Sequence, residues 1–310
     1  KIEETTKNVL IEAAIFNSVR VRKTSKKIVR SEASNRFEKG LDPNRTYMAM
    51  ERAVKLLEEY AGATIDKSLT IKGPNAGVNP NTATRGAEAI INGDLVIAND
   101  NIVIDGITLT GAGRIKALAS QSADAITLTN IIADKCTSNV GNVNNTAPFD
   151  LAVNGSNVVS NVVISNNKFS TDETVKNDRP MIFHSTNVHN LTMDNNVFVG
   201  RSVNYNDALK LGNGASVGIT GELIVTNNHF ENYGQYLLWL QKFGAVNVLV
   251  ENNTFLNNGQ TAGSHGAIRF QAFTGAATDE VNCEMYYNTV DNSYMLLRVD
   301  AGCPADAVIK

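Results

Sequence analysis

The chain has 310 residues with 28 Lys+Arg against 31 Asp+Glu, a net charge of −3. That length exceeds one average domain, although a single repetitive all-β domain can fill most of it. No stretch reaches the ~18 apolar residues of a membrane span, and the abundance of Val, Ile, Leu and Phe excludes a wholly disordered chain.

The small net charge hides an asymmetry. Residues 1–62 carry 13 Lys+Arg and 9 Asp+Glu, whereas residues 63–310 carry 15 and 22. Asn breaks at the same place, with 4 in the first 62 residues and 35 afterwards. Asn is poor in helices and ordinary strands but suited to turns, so the second part needs a repeated position for it. The chain begins at Lys1 without a basic segment followed by an apolar run, so no signal peptide is expected within it.

In chain order, "NVLIEAAIF" (8–16) reads as a buried strand and "VRVRKTSKKIVR" (19–30) as a basic loop or short helix. "LDPNRTYMAMERAVKLLEEYAG" then predicts one long helix over 43–61. Asp42 can cap it, Pro43 suits the first turn and Gly62 can end it. Tyr47, Met50, Val54, Leu57 and Ala61 share one face.

The strings "IEAAIFNSVRVRKTSKK" and "RSEASNRFEKGLDPNRTYMAMERAVKLLEE" closely resemble the bacterial phenylalanyl-tRNA synthetase β subunit, at the end of its B3/B4 region. Ser18 stands where that family commonly has Pro, and the stretch before the second string is one residue short. The resemblance implies a short α/β fragment of a cytoplasmic ligase whose synthetic site lies on a separate α subunit. The α subunit and tRNA are its implied partners only in that context. No aminoacylation is expected from this chain alone, because a fragment of ~60 residues buries too little to stand by itself.

From "KSLTIKGPN" onward the chain repeats. "NIVIDGITL", "AITLTNIIA", "NVVISNNKF", "HNLTMDNNVF", "LIVTNNHF", "VLVENNTF" and "CEMYYNTV" share an alternating strand, a polar pair and an apolar residue. Gly106, Asn130, Asn166, Asn195, Asn227, Asn252 and Tyr287 hold the first polar position. Units too short to bury a core alone share one when stacked. Stacked Asn side chains can bond to those above and below, with Phe169, Phe198, Phe230 and Phe255 stacked inside.

This pattern resembles a right-handed parallel β-helix of the pectate-lyase-like class. The expected architecture is therefore mainly β: a single-stranded solenoid over 64–310, preceded by the fragment 1–63. The resemblance implies an extracellular or cell-surface setting for the β part, and cytoplasmic if the N-terminal resemblance governs. It speaks weakly to activity, since binders, lyases, hydrolases and adhesins share the fold.

A second strand series, "ALKLG", "LLWLQ", "AIRFQ" and "LLRVD", aligns Lys210, Trp239, Arg269 and Arg298 in one outward column. Their neighbours, Val299 among them, would point into the core. Gly212, Gln241, Gln271 and Asp300 form a parallel outward column. Like charges directly opposite are unfavourable, and an acidic polysaccharide along the column would relieve Arg269 and Arg298. Trp239 can stack on a sugar face or take a cation over its ring. The expected substrate-binding residues are thus Lys210, Trp239, Gln241, Arg269, Gln271, Arg298 and Asp300, and the competing reading is a solvated or purely adhesive face.

A chondroitinase- or alginate-lyase-like resemblance would make Lys242 and Arg269 the catalytic pair. No carboxylate lies between Glu231 and Glu251, so Ca²⁺, the cofactor such a family would imply, has no clear site. Asp207 and Asp300 are the candidates for a hydrolase pair. The four His and the widely spaced Cys136, Cys283 and Cys303 form no ligand motif. No metal site and no nucleic-acid partner are expected for the β part.

Overall fold

The computed structural model describes residues 16–40, 49, 52–53, 68–136, 147–170, 180–183, 187–200, 208–211, 218–234, 236–240, 243–258, 267–271, 281–293, 296–300 and 308–309. The chain divides into two compact units, Lys1–Thr64 and Ile65–Lys310.

In the first unit the basic stretch is helical. Helix α1 (Ser18–Lys27) is capped by Asn17, whose side chain accepts from the Arg20 N–H at 3.1 Å. This satisfies one orphan donor of the first turn. Helix α2 (Glu32–Phe37) starts on a reciprocal box in which Ser31 and Ser34 each accept the other's backbone N–H. Phe16 packs edge-on against Phe37 with centroids 4.8 Å apart, and Arg30 pairs with Glu38 at 2.7 Å. The strand expected over 8–16 lies outside the described residues except for Phe16. Of the helix expected over 43–61, Ala49, Arg52 and Ala53 are described and helical.

The second unit is mainly β, built from three parallel sheets. The chain visits them in the same order throughout. Ile102–Asp105 lies in the first sheet, Thr108–Thr110 in the second and Arg114–Ala117 in the third. Each later visit adds a strand beside the previous one. Thus Ile104, Leu128, Ile164, Met193, Val225, Val250 and Met285 stand in one register across the first sheet. The alternating residues of these strands face a common apolar core.

The corner between the first and second sheets explains the Asn content. Gly106, Asn130, Asn166, Asn195, Asn227, Asn252 and Tyr287 all adopt φ between 52° and 76°. Only Gly enters this left-handed region freely, and Asn enters it at lower cost than other side chains. The next residue does the bonding. Asn196 donates its backbone N–H and Nδ2 to Asn228 Oδ1 at 2.9 Å each, and a further Nδ2 bond to the Ile164 carbonyl at 2.8 Å. Asn167, Asn228 and Asn253 repeat the pattern, ending on Asn288. Asn167, Asn196, Asn228 and Asn253 are at most 2% exposed. The continuous buried ladder therefore runs through the second polar position, while the first carries only broken links: Asn195 donates to Asn166 and Asn252 to Asn227 at 2.7 Å, but Asn130 and Asn227 donate to Asp105 and Asp194 instead.

Beneath it, Phe169, Phe198 and Phe230 stack at 4.7 Å with rings 2° and 4° from parallel, and Phe255 follows at 5.5 Å. The spacing matches that of neighbouring strands. Each buried Phe contributes about 2–3 kcal/mol.

Residues 73–88 lie across this corner as a strap. Asn79 Nδ2 donates to Asn166 Oδ1 at 3.1 Å and Asn81 Nδ2 to the Asn167 carbonyl at 3.1 Å. The Arg85 guanidinium is 6% exposed, pairs with Glu88 at 2.8 Å and donates to the Asn130 carbonyl. With Glu88 accepting from Thr108 and Asn81 reaching the Asn195 carbonyl, one strap ties four successive visits of the chain together through side-chain bonds.

Candidate functional site

The third sheet carries the candidate face. Its strands Leu209–Leu211, Leu238–Leu240, Ile268–Phe270 and Leu297–Val299 are three residues each. Register pairs Lys210 with Trp239, Trp239 with Arg269, and Arg269 with Arg298. Leu209, Leu211, Leu238, Leu240, Ile268 and Phe270 are at most 3% exposed, so Trp239 and Arg269, central in their triplets, point outward. In the last strand Val299 is 45% exposed, which corrects its expected core position: no further strand of this sheet covers it among the described residues.

Asp300 changes the electrostatics of the column. Its Oδ2 accepts from Arg269 Nε at 3.1 Å and Nη2 at 2.6 Å, and its Oδ1 accepts from Arg298 Nε at 2.7 Å. The expected repulsion between Arg269 and Arg298 is thereby neutralised inside the protein, with no external polyanion required. Burial opposes the Asp300 charge, but hydrogen bonds from Arg269 and Arg298 outweigh it and hold the carboxyl below the ordinary aspartate range.

The aromatic part is equally tied down. The Arg269 guanidinium lies 4.8 Å from the Trp239 ring centroid and 5.1 Å from that of Tyr236. Trp239 Nε1 donates to Gln271 Oε1 at 2.9 Å, and Arg298 Nη1 donates to the Tyr236 hydroxyl at 3.2 Å. Burial, the main cause, pushes the Tyr236 hydroxyl up, so it stays protonated. Trp239, Arg269, Gln271, Arg298 and Asp300 thus meet in one cluster. Gly212, Gln241, Lys242 and Asp207 lie outside the described residues, as does the Lys210 side chain.

Tyr236 was not among the residues expected here. It precedes its strand and interrupts no alternation, and its one signal is that a buried phenol needs a partner. A second charged cluster on the same sheet also escaped the repeat alignment. Asp94 accepts from Arg114 Nε at 2.8 Å and pairs with Lys116 at 3.0 Å. Asp150 stands opposite Lys116 in register, and burial pushes its carboxyl up. Aligning "NGDLVI" with "AGRIKA" on Gly93 and Gly113 would have paired Asp94 with Arg114, as the register does.

A groove of about 480 Å³ crosses the first sheet, lined by Glu222, Ile224, Asn247, Leu249, Asn282 and Glu284. Its carboxylates make it unsuited to an anion. His189 bonds Thr220 Oγ1 at 3.0 Å and His229 meets Glu231 at 3.2 Å; His184 and His265 lie outside the described residues. Among the described residues no three His, Cys, Asp or Glu side chains could hold a metal, and Cys136 and Cys283 are buried thiols. No helix among them is long and apolar enough to cross a membrane.

Residues 1–62 match the B3/4 domain family. The chain is 45% identical over 86 residues to the phenylalanine–tRNA ligase beta subunit of Bacillus subtilis, covering 26% of this chain and 11% of that protein. The corresponding subunit of Bacillus licheniformis is 53% identical over 66 residues, 21% of this chain and 8% of the relative. That of Protochlamydia amoebophila is 40% identical over 70 residues, 22% and 9%. The chain thus spans about a tenth of the length of the curated relatives it matches. No solved structure matches it.

Proposed function

We propose that the chain joins two segments of separate function near Ala63–Thr64. Residues 1–62 are a non-autonomous piece of a phenylalanine–tRNA ligase β subunit, cytoplasmic in its family setting. The B3/4 match carries this reading. Aminoacylation needs the rest of that subunit and the α subunit, so the piece contributes a docking element at most. Incubation with a bacterial synthetase α subunit tests it: co-elution supports the reading, and its absence leaves only a sequence remnant.

For the β unit the reading is a right-handed parallel β-helix of the pectate-lyase-like class, extracellular or on a cell surface, that binds an acidic polysaccharide on the third sheet. The meeting of Trp239, Arg269, Gln271, Arg298 and Asp300 supports it, since a ring, guanidinium groups and an amide on one face suit a carboxylated sugar. Binding is favoured over cleavage. Arg269 is stacked and engaged by Asp300, so it is poorly placed to neutralise a uronate as the lyase-like pair with Lys242 requires. Affinity for polygalacturonate, measured at low and physiological ionic strength, is the test. Trp239→Ala weakens binding at both, because stacking is little screened, whereas the charge contacts fade with salt. Equal binding by parent and variant would reduce the face to a solvated surface and leave the adhesive or structural alternative.

A further inference from the structure

Asp300 occupies the place that a ligand's own anion would take. Arg269 and Arg298 project from adjacent strands, opposite each other in register. One carboxylate bridges them, its two oxygens each facing a different guanidinium. Guanidinium pairs offer this planar, forked geometry to any carboxylate or sulfate. The pocket is otherwise prepared: Arg269 is held over the rings of Trp239 and Tyr236, and Arg298 by the Tyr236 hydroxyl. The Arg269, Asp300 and Arg298 side chains are 13%, 20% and 35% exposed, so the anion position is partly shielded and is reached from the Arg298 side.

We infer that Asp300 is a resident competitor that closes the anion position of this face, so that an acidic saccharide binds it only by displacing the Asp300 carboxylate. The inference rests on the glycan-binding reading above. Asp300 is two residues from Arg298 on the same segment and so meets the guanidinium groups at high effective concentration. The apparent affinity for a soluble anion scales with the fraction of time the clamp is open, and a clamp open one-tenth of the time weakens binding about 10-fold. A neutral saccharide, which offers the guanidinium groups no anion, escapes this competition. Asp300 therefore tunes specificity: it weakens the hold on dense polyanions and narrows their advantage over esterified glycans.

The test compares the full chain with Asp300→Asn by calorimetric titration of a galacturonate hexasaccharide and its methyl ester. The variant is expected to bind the acid about 10-fold tighter or more, with the ester unchanged. Sodium sulfate should raise the unfolding temperature of the variant more than that of the parent. If Asp300→Asn unfolds, Asp300→Ser, which empties the space between the guanidinium groups, is read by the same sulfate shift. Acid binding that is equal or weaker in a folded variant means that Asp300 organises the arginines rather than competing, and overturns the inference. In that case the glycan reading stands if the parent still binds and Trp239→Ala does not. No saccharide binding by parent or variant overturns both.

Discussion

At the scale of single residues, the two adjacent Asn positions of four repeats, at 166–167, 195–196, 227–228 and 252–253, do different work. Asn196 is buried, with its amide bonded to Asn228 and the Ile164 carbonyl. Asn196→Ala strands donors on Asn167 and the Ile164 acceptor, and should cost about 2–4 kcal/mol in urea unfolding. Asn195, at φ 54°, serves the turn and donates one part-buried side-chain bond to Asn166 at 2.7 Å, so Asn195→Gly should cost less than Asn196→Ala, about 1 kcal/mol. Tyr287 holds the same left-handed position at φ 53° and is 84% exposed. Tyr287→Asn should therefore stabilise by roughly 1 kcal/mol. Charged groups on the third sheet give two opposite pH dependences. The folded pKa of Asp300 is lowered, so its contribution is present above the ordinary aspartate range and is lost as pH falls through the lowered value. The folded pKa of Asp150 is raised, so its ionisation costs stability at neutral pH, a cost that disappears as pH falls through the folded pKa to the ordinary range. Unfolding midpoints from neutral to acid pH check both signs: Asp150→Asn should stabilise at neutral pH, and the deficit of Asp300→Asn should shrink in acid.

At the scale of elements, the repeat was legible because its periodicity is physical. Alternation exposed the core residues, the Asn pair marked each corner, and "LKL", "LWL", "IRF" and "LRV" fell into the register that the third sheet shows. Which Asn of each pair is buried was not legible, since both are polar and only the left-handed turn decides which one points inward. Asp300 was placed in the outward column, but its bridging role depends on a carboxylate reaching across one strand spacing, which spacing in sequence does not encode. The strap at 73–88 was missed for a similar reason. Its bonds reach Asn166 and Asn167 more than eighty residues away, with no periodic signal. Arg85 is its anchor. Arg85→Met leaves Glu88 without its cation, with only hydroxyl and amide donors such as Thr108 remaining, and removes a donor from the Asn130 carbonyl, and should cost about 2–4 kcal/mol. Hydrogen exchange should then speed up across 73–88, with the Phe198 layer still protected; uniform loss of protection would show that the strap is part of the global unfolding unit.

At the scale of the whole molecule, the charge break, the Asn break and the division at Thr64–Ile65 fall within a few residues of one another. The parallel sheets, the Phe stack and the buried Asn ladder all belong to Ile65–Lys310. Each strand layer there shares its core with its neighbours, so stability adds layer by layer within that unit. Among the described residues of the first unit, which include the short helices α1 and α2, Phe16, Val19, Ile28 and Val29 are each at least 48% exposed. A unit of about 60 residues gains little from burial against the usual loss of chain entropy. A chain beginning at Ile65 should accordingly keep a β-type circular dichroism spectrum and cooperative unfolding with a midpoint near that of the full chain. Residues 1–64 alone should show no cooperative transition. Loss of cooperativity on removing 1–64 would mean that the β unit depends on the synthetase-like piece, and would sink the reading of two separate functions. The full chain should also show no phenylalanine-dependent pyrophosphate exchange above a heat-killed control, because it spans about a tenth of the ligase subunit it resembles.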